Sequence, residues 1–479
     1  MKVLFVTPEA VPFMKSGGLG DVAGALPLAL RKKLVGVRVV MPLYQEIKQE
    51  LKDKLTFLQE IWVPLAWRSQ YCGIYEAKMG GITYYLLDNK YYFGRKGIYG
   101  HFDDAERFAF FSKASLEILQ YLDFEPDVIH CNDWQTALIP MYLNYFYRQA
   151  GGCYENLRVV LTIHNIQYQG IFPRDVTEYV LGISKEEFDN GYIEFDGCVN
   201  FLKTGILASD WITTVSPSYA QEIQYEFYGH GLHGILRDQQ AKLSGIINGI
   251  DTNLYNPETD PALFQNYSAE DRTGKAVNKA NLQTLLNLPE NPHVPVIAMV
   301  TRLVDHKGLD LIATVLPEIL NEDIQLVILG TGDWKYEEMV RRAKQNYPSK
   351  VSANITFNSD LAQKIYGGAD MFLMPSKSEP CGLSQMIAMR YGTIPIVRET
   401  GGLKDTVQPY ISWEGSGCGF TFQNYNAWDM LYVIRQAIET YHQNEQWQQL
   451  TDNAMKEDFS WDVPAREYLS LYRKLANKR

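Results

Sequence analysis

The sequence lacks a charged-then-apolar leader, and none of its apolar runs approaches the ~18 residues that can span a bilayer. Neither a secretory signal nor a membrane-spanning helix is therefore expected. Cysteine is scarce, six residues in 479, and no two of them form a CxxC pair or another metal-ligand spacing. The expectation is reduced thiols in a cytoplasm, with no bound metal. Positive charge is short as well: 45 Lys and Arg against 56 Asp and Glu leave a net charge of −11. Such a balance gives no electrostatic footprint for nucleic acid or anionic lipid. No GxxxxGK[S/T] occurs, which leaves a P-loop unsupported, and there is no low-complexity tract or short-period repeat.

What is present is a long alternation. At 479 residues the chain exceeds the roughly 250–300 at which one core stops growing, so two domains are expected. In the N-terminal half, residues 3–7, 37–41, 127–131, 158–164 and 211–216 read as strands, and 20–33, 134–148 and 217–227 as helices. Unbroken apolar runs bounded by turns and spaced by helices indicate a parallel sheet covered on both faces. Residues 51–100 read instead as antiparallel hairpins. A polar stretch runs from Asn248 to about His293. The alternation then restarts, with strands within 294–301, 324–330, 354–357, 370–375 and 393–397, and helices from Lys307, Trp334 and Gly382. A last helical segment follows from Trp461. The expected class is α/β, two doubly wound Rossmann-like domains, 1–245 and 246–460, with ligand crevices at the carboxyl ends of their strands. If the two face each other, they share a central cleft.

One motif occurs twice, each time after a strand-like run: Lys15-Ser-Gly-Gly-Leu-Gly-Asp21 and Glu399-Thr-Gly-Gly-Leu-Lys-Asp405. Paired glycines at a strand-to-helix junction let backbone N–H groups approach an anion, though either copy alone could be a tight turn. Lys15 adds a full charge to the first copy. Gly18, Gly20 and Gly24 have one residue too many for the dinucleotide fingerprint, which disfavours a dehydrogenase. Arg302 and Lys307 follow the first strand of the second half, where two cations suit a diphosphate. Glu379 follows the strand at 370–375, just before a helix that Gly382 is expected to open. A carboxylate held at such a helix start is electrostatically favoured and could accept from sugar hydroxyls, or simply cap the helix. Asp133 stands at one strand end, and His164 with Asn165 at another.

Collectively these segments resemble the bacterial glycogen synthase and plant starch synthase family. The resemblance rests on "KSGGLGDV", "HCNDWQTAL", "TIHNIQYQGIFP", "NGIDTNLYNP", "RLVDHKGLDLI", "EPCGL" and "AMRYGTIPIVRETGGLKDTV", and it covers nearly the whole chain. It implies a GT-B fold, with a last helix, 461–479, crossing back to the first domain. It implies retaining transfer of glucose from ADP-glucose to an α-1,4-glucan, without cofactor or metal. Lys15, Gly17, Gly18 and Asp21 would meet the donor from the first domain, with Arg302 and Lys307 clamping its diphosphate. Asp133, His164, Asn165, Glu379, Cys381, Gly382 and Leu383 would hold the glucose. Asn248 would lie near the donor, and Phe357 against the adenine. His306 stands where the family usually has Gln, and Lys377 and Ser378 where it has Arg and Phe. Two other readings stay open: a UDP-glucose transferase with a small acceptor, and a catalytically silent glucan-binding regulator.

Overall fold

The computed structural model describes residues 1–477 as two compact units. One comprises Met1–Gly249 and the C-terminal segment from Trp461; the other is Ile250–Ser460. Residues 478 and 479 of the expected last helix lie outside the described residues.

The first unit is built on a nine-stranded sheet: β1 (Lys2–Val6), β2 (Gly36–Pro42), β3 (Thr56–Leu65), β4 (Arg68–Met79), β5 (Ile82–Asp88), β6 (Val128–Asn132), β7 (Arg158–Ile163), β8 (Trp211–Thr214) and β9 (Leu243–Gly245). Their order is β9-β8-β7-β6-β1-β2-β5-β4-β3. Every pairing from β9 to β5 is parallel, and β5-β4-β3 is antiparallel. β1 and β6 are buried almost end to end, which is why they read as unbroken apolar runs rather than alternations. The edge strand β3 does alternate in its second half, burying Ile61, Val63 and Leu65 while Trp62 stays exposed. The C-terminal helix, Asp462–Ala476, packs on this unit, and its Tyr472 hydroxyl lies 2.6 Å from His130 Nδ1.

Strand order turns at β1, which has β2 on one side and β6 on the other. Successive crossovers leave in opposite directions there, and a crevice opens past the strands' carboxyl ends. The loop after β1 leads into α1 (Gly18–Lys32). The segment after β6 was expected to be one helix, 134–148, but it is broken into Trp134–Thr136, Leu138–Tyr142 and a wide turn at Leu143–Tyr147. Pro140 has no N–H to offer the Thr136 carbonyl, so the bond that would join Thr136 to the following turn is missing. The expected helix 217–227 likewise divides into Pro217–Glu222 and Glu226–Gly229.

The second unit has six parallel strands: β10 (Val296–Val300), β11 (Gln325–Leu329), β12 (Val351–Asn354), β13 (Met371–Met374), β14 (Ile394–Arg398) and β15 (Phe420–Phe422), ordered β12-β11-β10-β13-β14-β15. Order turns between β10 and β13. β12 ends at Asn354, so the strand expected over 354–357 lies three residues earlier. The polar stretch before β10 holds an unexpected helix, Thr273–Leu285. Its buried face carries Asn278, Lys279 and Gln283 beside Leu282, so hydropathy does not reveal its period. Those polar groups are matched: Lys279 pairs with Asp370 at 2.8 Å, and Gln283 donates to Gln325 Oε1 at 2.9 Å.

Candidate active site

In the second unit the two loops flanking the strand-order turn are locked together. Gly308 closes the loop after β10, at φ +77°, and a Cβ there would lie 2.1 Å from the Pro375 carbonyl oxygen. Only glycine fits so close an approach. Lys377 N donates to the His306 carbonyl at 2.9 Å. This contact brings Lys307 Nζ to 2.6 Å from Glu379 Oε2, which also accepts from Ser376 Oγ at 3.0 Å. Both partners of the ion pair are largely buried, with side chains 16% and 9% exposed. His306 sits beside them, and burial, with Lys307 and Arg302 adding to it, lowers its pKa to about 4. Arg302 is exposed, and no ion pair among the described residues uses it. Gly382 does not open a helix: the helix α2 spans Ser384–Arg390, and it is a lysine rather than a helix start that stabilises the Glu379 carboxylate.

The second paired-glycine motif turns out to serve this same turn. Gly402 N donates to the carbonyls of Glu379 (3.1 Å) and Pro380 (3.2 Å). A Cβ on Gly401 would lie 2.0 Å from Glu379 O, and one on Gly402 2.1 Å from Cys381 O. Gln385, fully buried, donates from Nε2 to Cys381 O, Gly382 O and Thr406 Oγ1, and Thr406 Oγ1 donates on to Gly402 O. The pair is a close-packing device holding the 379–383 turn, and its Gly402 amide is spent within the protein.

The first copy differs. Gly17 is the N-cap of α1, and a Cβ built on it meets nothing within 4 Å. Lys15 Nζ pairs with Asp21 at 2.6 Å, and burial raises the Asp21 pKa against the pull of that lysine. Ser16 N donates to the buried Glu9 carboxylate at 2.5 Å. Across the strand-order turn, Asp133 takes φ 58°, ψ −177°, a backbone conformation that costs a non-glycine residue about 1–3 kcal/mol. Asp133 N donates to Thr162 O (2.9 Å), and Asp133 Oδ1 accepts from His164 N (2.7 Å). Burial pushes its carboxyl up to about 7, although the N–H groups of His164 and Asn165 favour the charged form. Burial takes the His164 imidazole down to about 3. Asn165 Oδ1 accepts from Gln167 N at 3.0 Å, and buried Asn248 has an Oδ1 with no partner among the described residues.

Residues 2–238 match the family described as "Starch synthase catalytic domain", and residues 287–456 match "Glycosyl transferases group 1". The chain is 53% identical to a glycogen synthase of Bacillus cereus over 475 residues, 99% of this chain and all of the relative. It is 52% identical to a glycogen synthase of Geobacillus thermodenitrificans, covering 100% and 98%. The catalytic domain of starch synthase IV from Arabidopsis thaliana, solved bound to ADP and acarbose, superposes with a TM-score of 0.92 at 33% identity, covering 99% of each chain. The chain belongs to the glycogen and starch synthase family. It is a glycosyltransferase with the GT-B fold. A sucrose-phosphate synthase from Thermosynechococcus elongatus shares the fold alone, at TM-score 0.60 and 16% identity.

In this glycosyltransferase the structure brings the expected residues into two groups. Lys15, Gly17, Gly18, Asp21, Asp133, His164 and Asn165 lie past the strand ends of the first unit; Arg302, Lys307, Glu379, Cys381, Gly382 and Leu383 lie past those of the second. Phe357, expected against adenine, is 88% exposed in the segment after β12. Glu9 was missed, although its place three residues beyond β1 is the criterion that singled out Asp133. Ser376 and Gln385 were missed because nothing in their spacing announces a partner.

Asp133 also makes a stability prediction. Its folded pKa of about 7 exceeds the ordinary carboxylate value, so the folded chain holds its proton more tightly than the unfolded one. Stability then falls as pH rises from about 4 to about 7 and levels off above. Asp133→Asn should lack this decline, as compared by urea midpoints at pH 5 and pH 8; identical pH dependence in both proteins would contradict the assignment.

Proposed function

We propose that the chain transfers glucose from ADP-glucose to the non-reducing end of an α-1,4-glucan, with retention of anomeric configuration, as a cytoplasmic enzyme of glycogen synthesis. The observation that carries this reading is the Lys307–Glu379 pair at the strand-order turn of the second unit, in a chain of this family. Cleavage at the anomeric carbon leaves negative charge on the departing diphosphate and positive character on the sugar. Lysine has three N–H donors, and Glu379 engages one of them, so Lys307 can serve phosphate oxygens while it stays paired. Arg302 offers a planar fork to the same group, and Lys15 with the amides at the start of α1 a further cationic contact. Asp133, His164, Asn165, Glu379 and the turn through Cys381, Gly382 and Leu383 then face the glucose, with Asn248 nearby.

These groups stabilise charge without needing a bound metal or organic cofactor. No carboxylate pair is assigned the roles of a double displacement. A front-face substitution, in which the leaving phosphate helps to take the acceptor hydroxyl's proton, accounts for retention. Incubation with ADP-glucose and a maltooligosaccharide should give elongation by α-1,4 units, faster than with UDP-glucose and unchanged by EDTA. Oligosaccharide binding without incorporation of labelled glucose would overturn the enzymatic reading, and a preference for UDP-glucose the donor assignment.

A further inference from the structure

Asn132 closes β6 and is fully buried, one residue before Asp133. Its side-chain Nδ2 donates to Val6 O at 2.9 Å and to His130 O at 3.3 Å. Carbonyl oxygens only accept, so the end of the amide facing them is the NH₂. The other end, Oδ1, lies 2.9 Å from His164 Nε2. An amide oxygen also only accepts, so Nε2 must carry a hydrogen. A neutral imidazole has a single N–H, which leaves Nδ1 with a lone pair, and no hydrogen bond among the described residues engages it.

We propose that Asn132 is a positioning residue: it fixes the Nε2–H tautomer of His164 and so makes Nδ1 an acceptor for a hydroxyl of the transferred sugar. The second half of this statement rests on the reading of His164 as sugar-facing; the first half does not. The surroundings support a neutral ring. Asp133 spends Oδ1 on the His164 backbone N–H rather than on the imidazole. His130, the neighbouring histidine, has Nδ1 at 2.6 Å from the Tyr472 hydroxyl and Nε2 at 2.6 Å from Thr162 Oγ1, and burial keeps it neutral too. Glu9, whose charge acts on Asp133, has its own pKa raised by burial. A protonated His164 would instead present a donor at Nδ1 and lose the acceptor.

Nitrogen-15 spectra of the histidine-labelled full chain test the first half, with His164 assigned by the loss of its signals in His164→Gln. At pH 7 the wild type should show His164 as a neutral ring protonated at Nε2. A ring protonated at Nδ1, or at both nitrogens, overturns the proposal without touching the proposed reaction. In Asn132→Leu the tautomer should become mixed. Its kcat/KM should fall by about 10–100-fold, by analogy with the loss of a partner that orients a metal-bound histidine. Asn132→Asp supplies a readout that a merely structural role would not move. A carboxylate beside the ring raises the histidine pKa, so activity should fall as pH drops through a new midpoint near or above 6, absent from the wild type. A uniform loss at every pH overturns the positioning role. ADP-glucose analogues lacking single hydroxyls test the second half. One of them should be discriminated against by the wild type and much less by Asn132→Leu; equal discrimination by both proteins would remove the sugar contact.

Discussion

Replacing Lys307 or Arg302 by alanine is expected to lower turnover with ADP-glucose by about 10²–10³-fold, the loss typical when one preorganised charge-stabilising donor is removed from an active site. The two variants should part company in stability. Arg302 is exposed and forms no ion pair among the described residues, so Arg302→Ala should unfold within about 0.5 kcal/mol of the wild type. Lys307→Ala leaves Glu379 largely buried without its counter-charge, an arrangement that costs about 3 kcal/mol. Steady-state kinetics beside denaturant titration separates these effects. Near-normal turnover in either variant would count heavily against a cationic clamp on the diphosphate.

The second large effect concerns the repeated glycine motif. In Gly402→Ala the new Cβ would stand 2.1 Å from the Cys381 carbonyl oxygen and 2.4 Å from its Cα, backbone atoms that cannot swing aside. The turn carrying Glu379 must move or the unit must open, at an expected cost of about 3 kcal/mol or more, with loss of most activity. Gly17→Ala should behave in the opposite way. The site is open and its φ of −157° is extended backbone that any residue adopts, so stability should stay within about 0.5 kcal/mol of wild type. Any change it makes should fall on the KM for the sugar nucleotide. Equal destabilisation by the two substitutions would show that the two copies do the same job.

The contrast between the two copies also marks how far the sequence could be read. Strands β1, β2, β6, β7, β10, β11 and β13 were legible because burial on both faces writes an unbroken apolar run. Asp133, His164, Arg302, Lys307 and Glu379 were legible because each follows such a run, and parallel sheets gather loops of that kind at one end. The helix Thr273–Leu285 was not, since its buried face is largely polar and its cost is met by partners far along the chain, such as Asp370 and Gln325. The segment after Asp133 failed for a local reason that could have been weighed, the missing N–H of Pro140.

The sequence by itself therefore determined the two doubly wound units, the strand ends that hold the candidate site residues and the family. Apolar periodicity and short motifs are local properties, and both survive without knowledge of distant contacts. Only the tertiary structure decided that Glu379 is held by a lysine 72 positions away rather than by a helix start, and that the second pair of glycines packs that turn. It alone showed that the buried Asn132 amide can be satisfied in one orientation. These outcomes depend on which donors and acceptors meet across the fold. Similar heptapeptides with different neighbours are put to different use.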